Sequence, residues 1–409
     1  MKVLYLSYDG LTDGLGRSQI IPYLQGITSG GHEMTVISFE KETKTEADKK
    51  VIRAILDESG IRWVPMSYTS NPPVFSTIYD VLSLRKKCRS LHSETVFNVV
   101  HCRSYITSLV GLHLKRKLGL KFIFDMRAFY ADERVDGGLW PQTSFIFRTV
   151  FNYFKKKEKE FLSEADCTIS LTYKGKDEIH SWQDIPNQPI PIEVIPCCAD
   201  LDHFKRDNID NEKKQRLRQE LELSGSELVL TYLGSIGTWY MLDEMLDFFK
   251  TLHQKRPESR FLFITLDKPE LVLSKALEKG IPKELFIIKP ASREDVPTFL
   301  SLADIAFFFI KPLFSKTGSS PTKHGEMLGM GIPVICNGNV GDMSKIVPGS
   351  GTGIVVEEFN ESAYTEAINQ IDELLKTSPE TCRNLATDFY SLKTGVQRYQ
   401  SVYNQLQAD

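Results

Sequence analysis

The chain has 409 residues, 41% of them hydrophobic and 25% charged, with a formal net charge of −3. That length exceeds what one hydrophobic core usually serves, so two domains are expected; the balanced charge excludes a global field for nucleic acid, and no apolar run approaches the roughly 20 residues of a spanning helix. Seven cysteines without metal-ligand spacing predict reduced thiols in the cytoplasm, and the start MKVLYLSYDG holds too short an apolar run for a signal-peptide core.

Along the chain, short apolar runs alternate with longer amphipathic stretches, the rhythm of an α/β protein with parallel sheets. The first half carries VLYLSY from Val3, MTVISF from Met34, IRWVPM from Ile61, NVVHC from Asn98, FIFDM from Phe122, CTISL from Cys167 and IEVIP from Ile192. They are rich in β-branched and aromatic residues and alternate little, as strands buried on both faces do. The charge-dense stretch DNIDNEKKQRLRQE then interrupts the pattern, which restarts with LVLTYLG from Leu228, FLFITL from Phe261, LFIIKP from Leu285, IAFFFI from Ile305, PVICN from Pro333 and GIVVE from Gly353. The boundary is placed near Pro196, giving a first domain over 1–197 and a second over 198–385, with a closing helical tail over 386–409. Two such open sheets facing each other form a cleft at the carboxyl ends of their strands, where ligands bind.

Three segments carry candidate chemistry. DGLTDGLGRSQ, from Asp9 to Gln19, follows the first strand. Its Gly14 and Gly16 let backbone approach a ligand, and a helix expected from about Ser18 offers free amides to an anion. The spacing does not fit G-x-G-x-x-G, so a dinucleotide fingerprint is unsupported; a plain strand-to-helix turn is the competing reading. The second segment, SKTGSSPTKHGEMLGMGIPVI from Ser315 to Ile335, joins two strands through a polar loop and a helix expected over about 322–329. Pro321 suits the first turn of that helix. Amides around Ser319, Ser320, Thr322 and Lys323 are placed to hold a pyrophosphate, with Lys323 and Lys316 as cations. Glu326, one turn on, is placed to accept both hydroxyl hydrogens of a ribose. A well-capped helix with solvated Lys and Glu is the competing reading.

The third segment, FDMRAFYADERV from Phe124 to Val135, is a dense charge set after a strand. Arginine stays protonated and cannot be a general base, so Arg127 is assigned an electrostatic catalytic role, oriented by Asp125. Asp13, Arg17, Asp132, Glu133 and Arg134 form the candidate acceptor side; a structural ion-pair network competes for this set. Asp200-Leu201-Asp202 is set aside as a metal motif because it falls in the linker, and no metal site is expected. Lys155, Lys156, Lys157 and Lys159 flank Phe151, Phe154 and Phe161. A solvated helix face is the first reading of that stretch, and peripheral contact with anionic lipid at the inner face of a membrane the second.

ADIAFFFIKPLFSKTGSSPTKHGEMLGMGIPVI resembles the donor-site segment of family 4 glycosyltransferases, retaining enzymes of GT-B fold. IPCCADLDHF (195–204) resembles their interdomain linker, YLGSIGTWYMLDEMLDFFKTL (232–252) the first strand and helix of their donor domain, and FYSLKTGVQRYQSVY (389–403) their closing helix, which crosses back to the first domain. The resemblance implies two Rossmann-like domains and a glutamate, here Glu326, that holds the nucleotide ribose. It also implies amides before that glutamate that hold the diphosphate, with no cofactor and with a nucleotide sugar as co-substrate. The chain departs at two places. Gly318 stands where the family often has an earlier glutamate. Gly234 and Ser235, with Ile236, Gly237 and Thr238, stand where many members have an arginine and a lysine.

The activity expected is transfer of a sugar from a nucleotide-sugar donor to the hydroxyl of a glycan or lipid-linked acceptor, as in surface polysaccharide synthesis. Alternatives are a catalytically silent partner subunit of the same fold and a sugar-nucleotide epimerase. Donor base, sugar and acceptor are not fixed by the residues.

Overall fold

A computed structural model describes residues 1–408. The chain forms two compact units, one comprising Met1–Cys197 with the segment from Leu392 onward, the other Cys198–Ser391.

The first unit is built on a seven-stranded parallel sheet of β1 (Lys2–Ser7), β2 (Glu33–Glu40), β3 (Arg62–Ser67), β4 (Val99–Arg103), β5 (Lys121–Asp125), β6 (Cys167–Ser170) and β7 (Ile192–Val194), in the order β3-β2-β1-β4-β5-β6-β7. Every residue of β4 is buried, as is all of β2 after Glu33. This is why these runs read as continuous rather than alternating. In the second unit β8 (Val229–Leu233), β9 (Arg260–Ile264), β10 (Phe286–Lys289), β11 (Ile305–Phe308), β12 (Val334–Asn337) and β13 (Gly353–Val356) pair in the order β10-β9-β8-β11-β12-β13. All ladders are parallel. In each sheet the order reverses beside the first strand, β1 against β4 and β8 against β11. The loops leaving those strands are where doubly wound sheets bind ligands.

Two boundaries differ from the sequence-based expectation. The first helix starts at Gly14, not near Ser18. The tail is two helices: Pro379–Tyr390 packs in the second unit, and Leu392–Ala408 in the first. The break falls at Ser391, where the chain turns extended and Ala199 N–H donates to the Tyr390 carbonyl at 2.8 Å. Residues 386–391 therefore belong to the second unit. The Leu392–Ala408 helix lies so close to Ile21–Ser29 that a Cβ on Gly26 would sit 2.4 Å from Val396.

Candidate functional site

The second unit gathers its candidates at the β8/β11 switch. Gly234 ends β8 with φ +108°, a conformation that L side chains rarely adopt, and a Cβ there would stand 3.4 Å from Lys323 Nζ. The glycine thus serves the turn. Lys323 is buried on the Thr322–Gly329 helix, its ammonium 3.7 Å from the ring centre of Tyr240 and 4.0 Å from that of Tyr232, with no hydrogen-bond acceptor among the described residues. Desolvation pushes its pKa well below the usual lysine range, opposed by the Glu326 carboxylate one turn on. Lys316, also buried, places Nζ 3.6 Å above Trp239. Trp239 and Tyr240, adjacent in one loop, thus hold two cations. Sequence reasoning missed both; the signal was TWYM directly after the glycine turn that ends β8.

Glu326 is mostly buried, 3.8 Å from Arg293. Burial raises its carboxyl pKa, and the charges of Arg293 and Lys323 pull it back. Ser235 fixes the turn after β8: its carbonyl accepts from Tyr232 Oη at 2.5 Å, and its hydroxyl from Gly237 N–H at 3.3 Å. Ile236 N–H donates to Asp267, so that turn is held by a carboxylate rather than by ligand-gripping cations. Pro321 caps the helix from outside rather than opening it, and the Ser319 amide is spent on the Lys316 carbonyl at 3.1 Å. Ser319 is thereby removed as an amide donor to a ligand. Ser320 and Thr322 precede Lys323 at the start of this helix. Gly318 ends a buried 3₁₀ turn, Phe314–Gly318.

In the first unit the loop after β1 is closed on itself. Leu11 and Thr12 amides donate to the Glu40 carboxylate at 2.9 and 3.1 Å, and the Thr12 hydroxyl joins them. Gly16 is demanded by packing, since a Cβ would lie 2.4 Å from the Gly10 carbonyl oxygen. Gly16 thus has a packing role in this loop. Gly14 has nothing within 4 Å of a built Cβ, so no close approach explains it, and it opens a six-residue helix. Asp13 pairs with Lys41 at 2.8 Å and Lys44 at 3.2 Å, while Arg17 is exposed.

Asp125 ends β5 at 1% exposure, which corrects its assignment as a catalytic residue: it cannot touch a substrate. It accepts from Tyr399 Oη at 3.1 Å and lies 3.5 Å from His101 Nε2 and 3.6 Å from Arg127. Burial would raise its pKa, but the Arg127 charge and the His101 hydrogen bond hold it at about 2. Arg127 has φ +66°, sparsely populated for a non-glycine residue, and donates to Cys197 Sγ at 3.1 Å. Of the acceptor-side set, Asp132 is committed to Lys155 at 2.8 Å, a pair that also holds buried Glu158. Arg134 stacks over Tyr130 at 4.9 Å, and Glu133 lies on the same short helix, Tyr130–Asp136. In the lysine stretch Lys155, Lys157 and Lys159 pair with Glu158, Glu160 and Asp184, Lys156 is exposed, and Phe154 and Phe161 are buried. Among the described residues no cluster of His, Cys, Asp or Glu could hold a metal, and no helix is long and apolar enough to cross a membrane.

The glycosyltransferase family 4 model matches residues 23–203, and the model for glycosyl transferases group 1 matches residues 213–387. D-inositol 3-phosphate glycosyltransferases of Mycobacterium species are 22% identical over 308 residues, covering 74% of this chain and 64% of theirs, so the match spans less than two thirds of those relatives. Sucrose-phosphate synthase of Thermosynechococcus elongatus superposes with a TM-score of 0.75 at 14% identity, over 100% of this chain and 99% of that one. Anabaena HepE, solved with UDP-glucose, superposes with a TM-score of 0.68 at 13% identity over the whole of both chains. The two family models divide the chain between its two Rossmann-like units, and the chain belongs to the family 4 glycosyltransferases of GT-B fold.

Proposed function

We propose that this protein transfers a glycosyl group from a nucleotide-sugar donor to an acceptor hydroxyl, with retention of anomeric configuration and without a metal, in the synthesis of a glycan. The observation that carries the donor half is the buried Lys323 ammonium, which meets only aromatic faces beside Gly234 and the helix start at Thr322. A buried cation without an acceptor is costly unless a ligand supplies the anion. A diphosphate there would take Lys323 together with the amides of Thr322 and Lys323 at the helix start, leaving Glu326 within a turn for the ribose hydroxyls. Anabaena HepE, of the same fold, was solved with UDP-glucose, which supports a nucleotide sugar as the class of donor.

The hard step is departure of the nucleoside diphosphate. Preorganised amides and cations stabilise the charge that develops on it, ordinarily the largest catalytic term. In a front-face retaining reaction the departing phosphate takes the acceptor proton, so no general base is required of the chain. Arg127, oriented by buried Asp125, is the candidate electrostatic residue of the first unit.

Lys323→Ala and Glu326→Ala should each lower nucleoside diphosphate affinity and kcat/KM by roughly tenfold to a hundredfold, the cost of a lost charge-assisted hydrogen bond. Both variants should keep the melting temperature. Unchanged kinetics in both would end the assignment. A silent partner subunit would bind no nucleoside diphosphate even as the wild type, and an epimerase would turn over donor without acceptor.

A further inference from the structure

The first unit contains a cavity of about 830 Å³, lined in part by Asp13 and Arg134 of the candidate acceptor side. It opens at the carboxyl ends of β1, β2 and β4, where Tyr8, Asp9, Lys41 and Ser104 line it. It then runs between three helices: Phe75–Glu94, Ser104–Leu118 and Phe145–Glu164. The first helix contributes Ile78, Val81, Leu82 and Arg85, the spacing of one helical face. From Ile78 to Arg85 that face extends about 10 Å at 1.5 Å per residue. The opposing walls are apolar, with Leu109 on one side and Phe147, Val150 and Phe154 on the other. The volume lies in the range of small-molecule sites, and the apolar side chains that the three helices contribute suit a hydrocarbon chain.

A second observation points the same way. Phe75, Ile78, Tyr79 and Leu82 on the first helix are 72%, 51%, 64% and 55% exposed, and Phe145 and Ile146 on the third are 74% and 62% exposed. Single exposed apolar residues need no explanation, but six on the two helices that wall one cavity do. Residues of this kind on helix faces meet the boundary between headgroups and acyl chains.

We propose that this cavity holds the hydrocarbon chain of an amphiphilic acceptor whose polar head, carrying the hydroxyl to be glycosylated, lies at the strand ends. The proposal rests on the glycosyltransferase reading and narrows its acceptor to a lipid-linked class. The test titrates the full chain with butyl, hexyl and octyl β-glucoside below their micellar concentrations, following binding by calorimetry. Affinity should rise roughly fourfold per buried methylene and fall at least tenfold in Val81→Trp and Val150→Trp, which fill the cavity from opposite walls. Nucleoside diphosphates titrated into the same samples should bind each variant as they bind the wild type. Affinity independent of chain length, no binding of any glucoside, or length-dependent binding unchanged in both filled variants would overturn the proposal. If nucleoside diphosphates bind and the glucosides do not, the lipid-linked acceptor falls and the donor site stands; the converse removes the donor site alone. Should the tryptophan variants misfold, the chain-length series on the wild type still decides.

Discussion

Lys323 shows how one side chain can be read correctly by type and still not be understood from its neighbours in sequence. Its place before Glu326 marks it as a cation at a helix start, but the rings that surround it, Tyr232 and Tyr240, lie on and after β8, far upstream. The consequence is a pH dependence. Desolvation depresses the Lys323 pKa in the free protein, and an anion bound against it restores the charged form and raises that pKa. Binding therefore takes up a proton between the free and bound values, so nucleoside diphosphate affinity should tighten as pH falls through that window. Lys323→Met, which keeps length and polarizability but not charge, should lose both the affinity and the proton uptake while leaving the melting temperature at or above that of the wild type. Calorimetry in buffers of different ionisation enthalpy measures the uptake. Equal proton uptake in wild type and Lys323→Met would place the titrating group elsewhere.

The helix that bears Lys323 and Glu326 depends on two glycines for its seat. A Cβ on Gly325 would lie 2.7 Å from Tyr390, and one on Gly329 would lie 2.8 Å from Leu201 and 3.1 Å from the Phe204 carbonyl oxygen. The two residues, four apart, form the face on which Pro379–Tyr390 and the 199–204 segment rest. Arg383 closes the same corner by donating to the Leu201, Phe204 and Gly329 carbonyls at 2.8 to 3.0 Å. Glycine to alanine within a helix would ordinarily stabilise by up to about 1 kcal/mol. Here overpacking, at about 1–3 kcal/mol, outweighs that gain. Gly325→Ala and Gly329→Ala should thus both lower the denaturant midpoint, and a rise in either would refute the packing account. The bounds of this helix were legible, because Pro321 and the strand PVICN bracket it. The loop after β1 was not. Gly14 and Gly16 advertise ligand approach, but Glu40, on another strand, takes the Leu11 and Thr12 amides, and the long-range contact that decides the matter has no local sequence signal.

At the scale of the whole chain, both sheets were legible run by run, because strands buried on both faces are apolar throughout. The closing helix was placed too early, since nothing in DFYSLKTG marks Ser391 as the point where the chain leaves one unit for the other. What that helix does in the first unit is specific. It buries Tyr399, Val402, Tyr403 and Leu406, sends the Tyr399 hydroxyl to Asp125, and sets the Tyr403 hydroxyl 2.6 Å from His101 Nδ1. Four buried apolar side chains at about 1.5–3 kcal/mol each contribute roughly 6–12 kcal/mol, as large as the whole stability of an ordinary domain. Loss of the Tyr399 donor would add the cost of an under-satisfied buried carboxylate. Deleting the chain from Leu392 onward should therefore unfold the first unit, while the second, which holds its own core and the Lys323 cage, stays folded. Hydrogen exchange resolved along the sequence measures this: amides of β4 and β5 should lose protection while those of β8, β11 and β12 keep it. Retained protection in β4 and β5 would mean that the first sheet is stable without this helix, and that Arg127 and Asp125 need no support from it.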